Sequence, residues 1–282
     1  MIRQGPYKKF QRNDEAWLKT LLDSIDGRAR VPMPSFPPDD LQSTFVGSSN
    51  EQAIREAWAF YMFMANERKK YGLTLGPKSN VLDFGCGWGR FARMFLRDVP
   101  ADNIWCADIS EAARTVCRET GVPGQLVALD DMPPSTLPSE YFDTAFAYSV
   151  FSHLSELAHT AWKEEFTRVM KPGGLVFITL QARWFLDMCQ ELRDNPDQVN
   201  SVWYELLSKS FLDHEDSLAR YDRGEFLYAP NPRASENGKY YGDAVVPYGY
   251  FESTWSDSFE MLDFVADQSR FQHAIVVMRR RT

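Results

Sequence analysis

Apolar residues recur along this chain in two rhythms, and the change of rhythm divides it. Near 15–23, Trp17, Leu18, Leu21 and Leu22 fall on one face of a helix. Pro32, Pro34, Pro37 and Pro38 then forbid a continuous helix and impose extended chain. A second helix is predicted over 51–71, rich in aromatic residues: Trp58, Phe60, Tyr61 and Phe63. From 78 to 180 short apolar runs alternate with helical stretches. Strands are predicted at 80–84, 104–107, 126–129, 144–148 and 175–180, with helices at 90–97, 110–117 and 157–169 between them. Phe91, Met94 and Phe95 share one side of the first of these helices. Ser110 caps the second, with Glu111 in its first turn. Near-continuous apolar strands are those covered on both faces, so the sheet is expected to be parallel with helices on both sides: an α/β, Rossmann-like fold.

After 180 the alternation breaks. Helices are expected at 183–193 and 198–212. An aromatic stretch interrupted by Gly and Pro follows at 225–255, with a hairpin pairing Phe226-Leu227-Tyr228 against Val245-Val246. Two closing strands come at 259–264 and 272–278. The expected organisation is a helical cover or lid over 1–75, a core over 76–180, an insertion over 181–258 and closing strands over 259–282. No repeat or low-complexity tract is visible.

Composition narrows the chemistry. The 282 residues are 44% hydrophobic and 25% charged, ordinary for a globular protein. The net charge is −8 and the pI about 5.1. The dense basic runs, Arg68-Lys69-Lys70 and Arg279-Arg280-Arg281, are too short to neutralise many phosphates, so no nucleic-acid partner is expected. Cys86, Cys106, Cys117 and Cys189 show no CxxC spacing; two of them fall in apolar runs read as sheet. Neither a disulfide framework nor a metal site is expected, and the thiols suggest a reducing compartment. No leader-like or membrane-spanning apolar stretch is present, which reads as cytoplasmic with no membrane partner.

The strongest chemical signal is Val81-Leu82-Asp83-Phe84-Gly85-Cys86-Gly87-Trp88-Gly89-Arg90, a glycine turn between a strand and a predicted helix. Its glycines permit a tight turn and close approach to a ligand. Asp108, at the end of the second strand, suits the two hydroxyls of a ribose. Its bland alternative is a cap for the next helix, a role for which Ser110 competes. Asp130-Asp131-Met132 follows the third strand, where a carboxylate can accept from an adenine amino group; the residues leave open which of Asp130 and Asp131 does so. A dinucleotide site reads GxGxxG because the helix start must accept a pyrophosphate. Here the turn reads GxGxG, with Arg90 at the place of the last glycine, and Asp83 would repel a phosphate. An acid there favours an ammonium or sulfonium.

With these residues in view, the chain resembles the class I S-adenosylmethionine-dependent methyltransferase family over 80–180. The resemblance rests on four blocks in order: Leu82 through Arg90; Asp108-Ile109-Ser110; Phe142-Asp143 through Tyr148-Ser149-Val150-Phe151-Ser152-His153-Leu154; and Arg168-Val169-Met170-Lys171-Pro172-Gly173-Gly174. It implies a seven-stranded sheet, mostly parallel, with an antiparallel last strand. It implies S-adenosyl-L-methionine as cofactor and S-adenosyl-L-homocysteine as product. Asp83, Phe84, Gly85, Cys86, Gly87, Gly89 and Arg90 would hold the methionine part. Asp108 and Ile109 would meet the ribose side, Asp131 with Met132 the adenine, and Ser149 and Val150 would also line the cofactor. The wording of the glycine turn, Pro133-Pro134 and the Ser-Val-Phe-Ser-His-Leu segment resemble a bacterial subgroup, methyltransferase domain type 11/12-like, connected with surface-polysaccharide or other small-molecule modification. A small-molecule or glycan acceptor, methylated on oxygen or nitrogen by in-line displacement, is therefore expected.

His153 is the candidate base or acceptor-positioning group, because imidazole titrates near neutral pH; its bland alternative is a loop-packing histidine. His159 is expected at the surface, and His214 and His273 lack a supporting constellation. Tyr61, Trp184, Tyr228, Tyr241 and Tyr248 are the candidate acceptor-pocket residues, against the general rule that most aromatics are core. The competing functions are an NAD-dependent oxidoreductase on the same sheet and a non-catalytic S-adenosylmethionine-binding protein.

Overall fold

The computed structural model describes residues 5–231 and 239–282; positions 1–4 of the expected cover and 232–238 of the expected insertion lie outside the described residues. In chain order the elements are α1 (Asp14–Asp23), α2 (Asp39–Val46), α3 (Asn50–Lys70), β1 (Val81–Phe84), β2 (Ile104–Asp108), α4 (Glu111–Thr120), β3 (Gln125–Ala128), β4 (Phe142–Ala147), α5 (Glu156–Val169) and β5 (Met170–Leu180). Then come α6 (Trp184–Asp194), α7 (Val202–Leu207), α8 (His214–Asp222), β6 (Leu227–Pro230), β7 (Gly242–Val245), α9 (Tyr248–Trp255), β8 (Phe259–Val265) and β9 (Ala274–Arg280). Seven strands form one sheet in the order β3-β2-β1-β4-β5-β9-β8, and β6 pairs with β7 in a separate ribbon. β1 pairs in parallel with β2 and β4, β2 in parallel with β3, and β8 antiparallel with β9. The expected α/β, mostly parallel seven-stranded sheet is the observed fold.

Contacts divide the chain into two compact units. The first comprises Met1–Asp130, Pro134–Phe146 and Val169–Leu175. Its register sets Val81 beside Ile104 and Thr144, and Asp108 beside Ala128, so the carboxyl ends of β1, β2 and β3 adjoin. α1 and α3 cover this unit by burying one face each. Trp17 is fully buried, and its indole N–H donates to the Met94 carbonyl at 3.0 Å. Phe60 on α3 meets Phe91 and Phe146 edge-on, inside an aromatic cluster that also holds Phe95 stacked on Phe146. The Pro-rich chain between α1 and α2 is extended, as the prolines require. Its Ser35 amide donates to the Thr120 carbonyl at 2.9 Å.

The stretch after the glycine turn departs from expectation. No α-helix spans 90–97; turns lead to a single 3-10 turn at Met94–Arg97. Arg90, Arg93 and Arg97 are as buried as Phe91, Met94 and Phe95, so no face is left to solvent as an amphipathic helix needs. The three guanidiniums instead reach backbone carbonyls of Ala53, Pro34, Ser35 and Phe10, all at 3.4 Å.

The second unit comprises Asp131–Pro133, Ala147–Arg168 and Val176–Thr282. It has a core of its own, made by Phe185, Leu186, Cys189, Leu192, Leu207, Leu227 and Val245. The expected hairpin is the β6–β7 ribbon, with Leu227 opposite Val245 and Tyr228 opposite Ala244. The helix expected over 198–212 is the single short α7, and α8 and α9 come in addition. Strand β5 begins at Met170, through the Lys-Pro-Gly-Gly segment read as a turn, with Gly173 at φ +80°. All four cysteines are free and buried, but only Cys106 lies in a strand.

Candidate functional site

The glycine turn is built by backbone geometry. Gly85, Gly87 and Gly89 have φ of +78°, +53° and +75°, which side chains with a Cβ rarely adopt. A Cβ on Gly89 would also lie 2.6 Å from Val122 Cγ1. The amides of Gly85 and Cys86 both donate to the Ala107 carbonyl, at 2.8 and 3.2 Å, tying the turn to β2. The Gly87 amide donates to Asp108 Oδ2 at 2.8 Å, and the Gly89 amide to the Cys86 carbonyl at 2.9 Å. Asp108 Oδ1 accepts from the Ser110 amide at 2.8 Å, while Ser110 Oγ caps α4 by accepting from the Ala113 amide. Asp108 therefore braces the turn, and both of its oxygens keep lone-pair capacity for a further donor.

Asp83 sits beneath that turn, 2% exposed, and its Oδ2 has no hydrogen-bond partner. Burial pushes its carboxyl well above the usual carboxylate range; nearby Asp108 pushes the same way and Arg90 opposes them. Asp108 is raised also, by burial, with the Ser110 and Gly87 amides pulling it back. A buried acid without a partner costs free energy unless a cation or donor meets it. These four turn amides are committed inside the protein, and the helix start that a pyrophosphate needs is missing. The turn thus offers acids, not free donors.

The other predicted cofactor residues of this unit divide. Ile109 is an apolar side chain 49% exposed directly after Asp108. Asp130 is exposed next to β3. Phe84 and Cys86 are buried. The Arg90 guanidinium is turned to α3, 3.4 Å from the Ala53 carbonyl and 3.8 Å from Glu56, so its side chain belongs to the cover. Phe45 of α2 lies over Gly87, at 3.9 Å from where a Cβ would stand. Sequence reasoning missed Phe45, because nothing in its neighbourhood marks it as facing a glycine 42 positions on.

In the second unit, exposed Asp131 and half-buried Met132 follow one another in a loop, and the Asp131 carbonyl accepts from Trp162 Nε1 at 3.2 Å. Ser149 has φ +58°, rare for a non-glycine, and its amide donates to Thr179 Oγ1 at 2.7 Å. Val150 is half-buried, and its carbonyl accepts from the His153 amide at 2.9 Å. His153 Nδ1 lies 2.9 Å from the Gly242 carbonyl and 3.4 Å from Asp243 Oδ1, and Nε2 lies 3.5 Å from Ser149 Oγ. Tyr241 stacks on the imidazole, centroids 5.0 Å apart at 16°. Asp243 was not foreseen, since β7 is some ninety residues from His153.

The five aromatic pocket candidates separate. Tyr241 lies on His153, and Tyr228 is paired opposite Ala244 with its ring against Gly242, its hydroxyl pushed up to about 12 by burial and then by Asp243. Trp184 donates to the Gln272 carbonyl at 3.4 Å, and Tyr248 packs on Phe264. Tyr61 is a correction: it is fully buried, donating to Asp98 Oδ2 at 2.6 Å and accepting from Arg97 Nε at 2.8 Å, so it lines no pocket. His159 is another. It is fully buried, because it extends the apolar stripe of Trp162 and Phe166 on α5, and its Nε2 accepts from Trp255 Nε1 at 2.9 Å. His214 pairs with Asp187 at 2.9 Å, and His273 meets Tyr148 edge-on.

Residues 81–174 match the family described as methyltransferase domain. Those residues form a methyltransferase domain. The chain is 28% identical over 142 residues to the 2-methyl-6-phytyl-1,4-hydroquinone methyltransferase of Synechocystis, a match covering 50% of this chain and 41% of that one. It is 34% identical over 110 residues to the tRNA (carboxymethyluridine(34)-5-O)-methyltransferase of Arabidopsis thaliana, covering 39% and 26%. The matches thus span under half the length of these relatives. Its fold is similar to an S-adenosylmethionine-dependent methyltransferase from Clostridium acetobutylicum, with a TM-score of 0.51 at 12% identity, over 80% of this chain and 92% of the other. Among the described residues no helix is long and apolar enough to cross a membrane, and no cluster of His, Cys, Asp and Glu could hold a metal.

Proposed function

We propose that the protein transfers a methyl group from S-adenosyl-L-methionine to a small-molecule or glycan acceptor. The observation that carries the reading is the unpartnered, buried Asp83 oxygen beneath a glycine turn whose amides are already used. Such a place suits a ligand with an ammonium, which favours the ionised carboxylate, and leaves a pyrophosphate without the amide donors it needs. That disfavours the nicotinamide reading, which shares only the sheet and the ribose acid. Asp83 and the turn would hold the methionine part, Asp108 the ribose hydroxyls, and Ile109 an apolar face of the nucleoside. Asp131 with Met132, and Ser149 and Val150, are proposed as cofactor residues on the family resemblance alone.

When bound, S-adenosylmethionine supplies an electrophilic methyl group and a neutral thioether as leaving group. The protein's share is positioning, exclusion of water and acceptance of a proton where the acceptor carries one. His153 is proposed as that proton acceptor. The distinct segment 181–258 is proposed to choose the acceptor.

Calorimetric titration of the chain with S-adenosylhomocysteine tests the reading. Saturable one-to-one binding is expected, weakened at least tenfold by Asp108→Ala, together with a mass gain of one methyl group on an acceptor from a set of phenols, sugar nucleotides and amines. An intact, folded chain that binds neither S-adenosylhomocysteine nor S-adenosylmethionine would sink it. Binding without any methyl gain would favour the non-catalytic reading.

A further inference from the structure

His153 is held from three directions within the second unit. Its backbone carbonyl accepts from the Gly242 amide at 2.8 Å, while the Gly242 carbonyl faces its ring Nδ1 at 2.9 Å. Only glycine fits at 242, because a Cβ would stand 2.2 Å from the Ala229 carbonyl oxygen across the β6–β7 ribbon. Tyr241 lies flat on the imidazole and opposes ring rotation. Asp243, the next residue, is 4% exposed and brings Oδ1 to 3.4 Å from the same Nδ1.

The chemistry of Nδ1 follows from its neighbours. Both are acceptors, a carbonyl and a carboxylate, and neither can donate. The proton of a neutral His153 ring therefore belongs on Nδ1, leaving a lone pair on Nε2. Nε2 is directed to the side of Ser149 Oγ, at 3.5 Å, where the hydroxyl marks how an O–H would approach. The ring remains partly accessible, with 14% of its side chain exposed. The strained φ of Ser149, fixed by Thr179, is what turns that segment so.

We propose that Asp243 and the Gly242 carbonyl, both on the hairpin of the insertion, make His153 a fixed-tautomer base, and that the acceptor accordingly carries a hydroxyl whose proton must be removed. The inference rests on the methyl-transfer reading above. As the acceptor oxygen forms its bond to the methyl carbon, the carbon–sulfur bond breaks with its electron pair left on sulfur, and the hydroxyl proton passes to His153 Nε2. The imidazolium, with the Gly242 carbonyl and Asp243 Oδ1 facing its Nδ1–H, returns its proton to water. Asp243 touches neither acceptor nor cofactor in this scheme; it is a positioning residue. A carboxylate acceptor, already ionised at neutral pH, would have no use for it.

Nuclear magnetic resonance of the full chain with 15N-labelled histidines tests the dyad without an acceptor, His153→Gln identifying the signals. The parent protein is expected to show His153 with a protonated Nδ1 and a bare Nε2, and on acidification a strongly downfield Nδ1 proton. Asp243→Asn, nearly isosteric, is expected to keep the tautomer, which Gly242 sets, and to abolish the downfield resonance. A protonated Nε2 in the neutral parent ring, or a downfield resonance that is missing in the parent or survives Asp243→Asn, would overturn the proposal. Calorimetry with S-adenosylhomocysteine on the same samples is read separately: absent binding defeats the methyl-transfer reading, whereas a wrong tautomer defeats only the dyad. With a hydroxyl acceptor, His153→Gln should lower kcat by about 10²- to 10⁴-fold with the Kd for S-adenosylhomocysteine unchanged. Turnover of a carboxylate acceptor indifferent to His153→Gln would count against the proposal.

Discussion

Two buried titratable residues carry opposite lessons. Asp83 has its pKa raised in the ligand-free protein, chiefly by burial. A cationic ligand favours its ionised form, so binding should expel a proton. Between the ordinary carboxylate range and the raised value, affinity for S-adenosylmethionine should rise with pH. Asp83→Asn should weaken binding and remove that slope; titrations in buffers of different ionisation enthalpy would measure the released proton, and none released would refute the role. His159 lies in an aromatic cage of Phe151, Phe226, Phe251 and Trp255, and burial alone pulls it down to about 3. Its folded value is depressed below the unfolded value of about 6.5, so only the unfolded chain takes up the proton as pH falls. Its stability contribution is complete above about pH 6.5 and is lost towards pH 3, by roughly 1 kcal/mol for each pH unit. Urea midpoints at pH 7 and pH 5 should therefore fall less in His159→Gln than in the parent.

At the scale of elements, the insertion folds around its own apolar centre. Leu186 of α6 is fully buried among Phe185, Cys189, Leu207, Leu227 and Val245. Leu186→Ala should cost about 2–5 kcal/mol. Because Val245 is in β7, the loss should also loosen the ribbon that presents Gly242 and Asp243. Hydrogen exchange of the β7 amides would report it, and unchanged protection there would show the ribbon independent of α6. Which elements were legible in the sequence follows from the same physics. β1, β2, β4 and the β6–β7 pairing were readable, because apolar runs and their breaks depend on neighbours a few residues away. The glycine turn and Asp108 were readable because their spacing is local to β1 and β2. The helix expected after Gly89 failed because three arginines are drawn inward by carbonyls of distant segments, which no local pattern encodes. His159 was misjudged although Trp162 and Phe166 stand three and seven places beyond it, the spacing of a buried stripe. Asp243 and Phe45 depend on long-range approach and gave no sign.

For the whole molecule the open matter is what the acidic chain can approach. One relative acts on tRNA, but this chain matches only 26% of it. Binding RNA requires lysines and arginines free to replace counterions at phosphates. Here the net charge is −8, and Lys69, Lys70 and Arg281 are the exposed members of the two basic runs, most of whose residues already have partners in the chain. Arg68 is 4% exposed and Lys70 pairs with Glu67 at 3.0 Å. Arg279 faces Glu260 at 3.7 Å, Arg280 Nε donates to the Thr167 carbonyl at 3.0 Å, and Arg281 Nε donates to the Ser256 carbonyl at 2.9 Å. A chain so arranged should not retain transfer RNA on a filter at about 150 mM salt, where counterion release has already lost most of its drive. Lowering the salt should rescue little, because repulsion grows as screening falls. Retention that strengthens steeply as salt is reduced would show a phosphate-binding surface after all, and would move the acceptor from small hydroxyl compounds to a nucleic acid.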